Sequence, residues 1–118
     1  MQPNYPDDIT LLPLVMRQQF YVVLLHELTI VQRIIMHDTT FSDKKRIARF
    51  YRMNEIVHDV TNDLYELYTN TSSRKELYFH RSIEYHLVYI PDMKDIVYQA
   101  VKWSYDSVKR TMAENNNL

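Results

Sequence analysis

Glu55 and His58 place a carboxylate and an imidazole one helical turn apart. Carboxylate-bridged di-iron bundles require that E-x-x-H pair on two helices, with a further glutamate from each of the other two. The chain has no second E-x-x-H, and its last helical segment offers no histidine and only Glu114. A di-iron centre is therefore not expected, and Glu55 and His58 read as part of a solvated ridge. The five histidines, His26, His37, His58, His80 and His86, show no close metal-ligand spacing. Cysteine is absent, which removes thiolate nucleophiles and thiolate ligands. Glycine is absent as well, and with it the glycine-rich phosphate loop and the G-x-S-x-G nucleophile elbow. No cofactor or metal is expected.

One catalytic pattern survives these exclusions. Arg81-Ser82-Ile83-Glu84-Tyr85-His86 is an R-x4-H element, followed by Tyr89, Pro91 and an amphipathic segment. It resembles the signature of the HEPN family of helical ribonucleases, the HepT-like toxins among them, from Arg81 to the C-terminus, with a looser echo over 41–68. The resemblance implies that Arg81 orients and stabilises a scissile phosphate. It also implies that His86 moves the proton for attack by an RNA 2′-hydroxyl, in a metal-independent site completed by a dimer. Ser82 and Val88 stand where the family often has a polar amide and a tyrosine, and Tyr89 falls one place late. Arg52 to His58 and Arg74 to His80 are R-x5-H elements in the same chain, so the spacing alone is inexpensive. Positions five apart on an α-helix are rotated by about 140°, so Arg81 and His86 are expected to converge only at a helix break or across a dimer.

A second arrangement points to binding rather than catalysis. Lys44, Lys45, Arg46, Arg49 and Arg52 precede Glu55, Asp59, Asp63 and Glu66 within one helical segment. That order opposes the helix macrodipole, which favours anions at the N-terminus and cations at the C-terminus. The four acids follow i, i+4, i+8, i+11 spacing and form a ridge suited to steering a basic partner. Ten tyrosines, Tyr65 on that segment among them, add the residue type enriched at binding hot spots. The blander alternative is a solvated face laced with local pairs such as Arg52 and Glu55.

These residues must be carried by helices. The lack of glycine counts against hairpin-rich folds. Leu14, Tyr21, Leu28 and Ile35 repeat every seven residues, which predicts a helix from about Pro13 to His37. Phe20, Val23, Ile30 and Ile34 give it a second apolar stripe, as expected of a central helix or one that carries a homodimer seam. Asp38-Thr39-Thr40 ends it, and Ser42 or Asp43 can cap a second helix from about Asp43 to Tyr68. The buried stripe of that helix is predicted as Phe50, Met53, Val57, Val60, Leu64 and Leu67, with Ile56 and Tyr68 marginal. Ser73 and Glu76 form a capping box for a third helix with Phe79, Ile83, Leu87 and Ile90 on its apolar line. Pro91 breaks it, and Asp92 is placed to cap a last helix with Met93, Val97, Ala100, Val101, Val108 and Met112 along one face.

The expected architecture is one all-α domain over 1–118, an antiparallel up-down bundle of about four helices. A lead at 1–12 and a tail at 114–118 are expected to be flexible. The start of the chain lacks a signal-peptide pattern, and the longest apolar run, Phe20 to Leu25, is far shorter than a membrane span. With a net charge of −1 the chain has no overall attraction for nucleic acid or anionic membrane, and the expectation is cytoplasmic. The favoured functional reading is a non-catalytic protein–protein interaction module, such as an immunity protein or antitoxin binding a basic toxin domain. Its partner-binding residues would be Glu55, Asp59, Asp63, Glu66, Arg49, Arg52 and Tyr65. Alternatives are a homodimer through the first helix and a HEPN-like ribonuclease using Arg81 and His86. Only the ribonuclease reading calls for nucleic acid.

Overall fold

The computed structural model describes residues 12–69 and 78–116. Four helices run in chain order: α1 (Leu14–His37), α2 (Asp43–Thr69), α3 (Tyr78–Leu87) and α4 (Lys94–Asn116). A single 3₁₀ turn, Pro91–Met93, joins the last two. The described residues contain no strand, and the chain is an all-α bundle of antiparallel neighbours.

Each boundary has a local cause. Asp38 turns the chain after α1, its carboxylate accepting from the Thr40 hydroxyl at 2.5 Å and the Thr40 backbone N–H at 3.1 Å. These bonds hold the Asp38 carboxyl below its usual pKa range. Ser42 rather than Asp43 caps α2, accepting from the Lys45 N–H at 3.3 Å, while Asp43 pairs with Arg46 inside the first turn. Pro91 forces Ile90 out of helical geometry, to φ −134° and ψ 61°, and opens the 3₁₀ turn. The predicted capping role of Asp92 is not what is found. The Asp92 carboxylate leaves its own helix and pairs with Arg49 of α2. The capping box at Ser73 and Glu76 and the side chain of Phe79 lie outside the described residues.

α1 packs against both α2 and α4, and α3 packs against α2. The α1–α2 register is antiparallel from end to end: Gln18 donates to the Leu67 carbonyl, Gln32 to Asn54, and Arg46 to the Met36 carbonyl at 3.0 Å. Phe20, Leu24 and Leu28 of α1 pack fully buried with Met53, Ile56 and Val60 of α2, Ile83 of α3 and Val97 of α4. Ile56, expected at the margin, is a core residue, whereas Tyr68 is exposed. Leu12, expected in a flexible lead, packs on the core, and α4 continues through Glu114 to Asn116 where a loose tail was expected. Within the second apolar stripe of α1, Phe20 joins the core but Ile34 is exposed. Taken as a whole α1 is long and apolar enough to cross a membrane by length and composition, although its longest uninterrupted run is short. In this fold its buried face supplies core contacts to two neighbours.

Tyr21 and Arg49 make further polar ties between elements. The Tyr21 hydroxyl bonds to Asp63, and burial together with that carboxylate raises the phenol's pKa far above its usual range. Arg49, only 4% exposed, pairs with Asp92 and lies 3.6 Å from the centroid of the Phe41 ring. It thus links the α1–α2 turn to the α3–α4 corner. Asp92→Ala would leave a buried guanidinium without its counter-charge, at a cost of about 1–3 kcal/mol. Urea unfolding should show that loss as a lower midpoint with an unchanged slope, and an unchanged midpoint would sink the assigned role.

Candidate functional site

α3 seats its polar face on the second half of α2. The sequence explains why: Ile83 and Leu87 turn into the core, which leaves Ser82, Tyr85 and His86 at i, i+3, i+4 on an adjoining face. Between the two helices lies a cleft of about 600 Å³. Asp59, Asn62, Asp63 and Glu66 line it from α2, and Arg81, Ser82, Tyr85 and His86 line it from α3.

Arg81 and His86 thus both line one cleft, from positions about 140° apart around α3. At about 100° per residue, Tyr85 and Ser82 fall between them around the helix, so the pair flanks a cleft centred on those two residues. The two are not equivalent. Arg81 is exposed, whereas His86 is only 8% exposed.

The closest charged neighbours of His86 come from α2. Arg52 Nη1 lies 3.3 Å from His86 Nδ1, and Asp59 Oδ2 lies 4.0 Å from Nε2. A guanidinium can only donate, so this contact is a hydrogen bond in the neutral tautomer, with Nδ1 accepting and the proton on Nε2 facing Asp59. Burial and the nearby Arg52 charge lower the pKa of His86, outweighing Asp59 and Glu55, which raise it. Asp59 in turn accepts from the Ser82 hydroxyl at 2.5 Å. The Arg52 guanidinium also sits 3.6 Å from the centroid of the Tyr89 ring, and Tyr85 packs edge-on to both His86 and Tyr89.

The sequence-predicted partner residues divide accordingly. Asp59, Asp63 and Glu66 line the cleft as one ridge, and Glu55 lies near His86. Tyr65 is 67% exposed on the same half of α2 but outside the lining. Arg49 does not belong to a binding surface, because it is buried against Asp92 and Phe41. Arg52 is half-buried, turned toward His86 and Tyr89 rather than outward. Ser82, Tyr85, Asn62 and the Arg52–His86 contact were not singled out from the sequence. The i, i+3, i+4, i+7 spacing of Ser82, Tyr85, His86 and Tyr89 was the signal for Ser82 and Tyr85.

Among the described residues no group of three or more His, Cys, Asp or Glu side chains is placed to hold a metal ion. A separate, smaller groove of about 270 Å³ lies between α1 and α4, where Ile30 and Ile34 face Ile96 and Trp103. No protein-family model matches the chain, and neither a curated protein nor a solved structure matches it.

The lowered His86 pKa has a defined consequence for stability. A histidine whose pKa is lower folded than unfolded binds more protons when unfolded, so its contribution is present above the ordinary value of about 6.5 and is lost as pH falls through the lowered value. Urea midpoints should therefore fall between pH 7 and pH 5, and fall less in His86→Gln. Equal pH slopes for the two proteins would show that His86 is not the group responsible.

Proposed function

We propose that this chain is a non-catalytic binding module that takes a basic segment of another protein along the α2–α3 cleft. The observation that carries the proposal is the charge of the cleft wall, where three carboxylates, Asp59, Asp63 and Glu66, stand against the single guanidinium of Arg81. With His86 neutral, the balance is negative, which attracts cationic side chains and opposes phosphate. Tyr85, 57% exposed, gives the wall an aromatic surface with a hydrogen-bonding tip. An immunity protein or antitoxin that occupies a basic toxin domain in the cytoplasm is the role this surface suits best. Asp63→Asn combined with Glu66→Gln should weaken such a partner by about 10–100-fold, chiefly through slower association, with helical content unchanged. In cells, a photo-crosslinking residue at position 85 should capture the partner far better than one at the α4 position 109. Equal capture at both positions would remove the cleft from consideration.

A second reading is favoured by one specific observation, the presence of Arg81 and His86 against the same cleft. On the resemblance to HEPN ribonucleases, Arg81 would hold a scissile phosphate and His86 would move the 2′-hydroxyl proton. Purified protein should then cleave single-stranded RNA in the presence of a chelator, and His86→Ala should abolish the cleavage. RNA left intact at micromolar protein would dismiss this reading and leave the binding module untouched.

A further inference from the structure

We propose that Arg52, His86 and Asp59 form an acid-sensitive latch that fastens α2 to the α3–α4 corner, and that a proton added at His86 Nδ1 opens it. The geometry is a three-member relay across the helix seam. Arg52 donates to Nδ1 at 3.3 Å, while Asp59 Oδ2 faces Nε2 at 4.0 Å and is itself held by the Ser82 hydroxyl. The Arg52–Nδ1 contact exists only while Nδ1 keeps its lone pair. Adding a proton sets two donors and two like charges face to face at that distance, in a site that is nearly buried on the histidine side. Arg52 must then withdraw. Since its guanidinium also lies on the Tyr89 ring, withdrawal removes one of the contacts that hold the turn after α3, leaving the Tyr89 N–H bond to the His86 carbonyl and the buried Ile90.

The surrounding charges decide the direction of movement. On the α2 side His86 faces Arg52, Glu55 and Asp59, with Asp63 and Glu66 farther along the same cleft wall. From its own helix it faces the Tyr85 ring, and Arg81 also lines the cleft. The carboxylates attract an imidazolium, and among the described residues Arg52 is the cation in contact with the ring. Protonation therefore draws His86 toward Asp59 and expels Arg52, rather than expelling the histidine. The corner also has a second hold, the Arg49–Asp92 pair, in which His86 takes no part. Acid should thus loosen the end of α3 and the Tyr89 turn without unfolding α2 or α4. This latch does not depend on what the cleft binds.

Nitrogen-detected NMR of the isotopically labelled, full-length protein tests it directly. At neutral pH the His86 ring should show the Nε2–H tautomer. On acidification, the Arg52 side-chain and Tyr89 ring resonances should move with the same midpoint as His86, below the ordinary histidine range. In Arg52→Gln that midpoint should rise, because the like charge and its donor geometry are both removed. In His86→Gln the Arg52 and Tyr89 transitions should disappear, while the amide spectra of α2 and α4 remain native. An Nδ1–H tautomer, a Tyr89 transition unlinked to His86, or an unchanged midpoint in Arg52→Gln would each overturn the latch.

Discussion

The seating of α2 between two antiparallel neighbours is the constraint on which the other features rest. The basic first half of α2 lies beside the C-terminal ends of α1 and α3, where unpaired carbonyls concentrate negative partial charge. Arg46 donates directly into the Met36 carbonyl at the end of α1, and Arg52 reaches the end of α3 at His86. The acidic second half lies toward the N-terminal halves of the same neighbours, where Asp63 meets Tyr21 of α1 and Asp59 accepts from Ser82 of α3. A charge order that opposes the dipole of its own helix thus complements the dipoles of the helices on either side. Each such term is a few tenths of a kcal/mol at an exposed helix end, so the pattern acts by being repeated along both seams.

The same arrangement divides the basic residues into those that build and those that face outward. Arg49 is consumed by Asp92 and Phe41, and Arg52 by His86 and Tyr89. Arg49 and Arg52 are turned toward the corner, and the carboxylates are left to define the cleft. Its electrostatic character therefore follows from how the bundle is tied together, not from an acidic excess, since the net charge of the chain is only −1.

Much of the fold was legible because periodicity and chain breakers are local signals. The heptad Leu14–Tyr21–Leu28–Ile35, the cap at Ser42 and the break at Pro91 each specify structure from a few neighbouring residues. The site was legible only in part. Asp59, Asp63 and Glu66 stood out as a ridge because they share one helix. The pairs Arg49–Asp92 and Arg52–His86 bridge distant stretches of chain, and their register is fixed by how Met53, Ile56 and Val60 pack with Ile83 in the core. No local rule encodes that register. Arg81 and His86, about 140° apart around α3, do not share a face, and both line the cleft because a groove between two helices is wide enough to be flanked by such residues.

The described turns also bear on the unfolded chain. Asp38 at φ −83° and Ile90 at φ −134° redirect the backbone, and Pro13 at φ −53° opens α1, all within conformations open to any residue with a side chain. A glycine at such a position would leave the folded turn intact while giving the unfolded ensemble many more states to populate, a difference of about 0.4–1 kcal/mol per site. A chain that makes its corners with Asp, Ser and Pro gives up less disorder when it folds. Part of its stability therefore resides in the states it does not visit when unfolded.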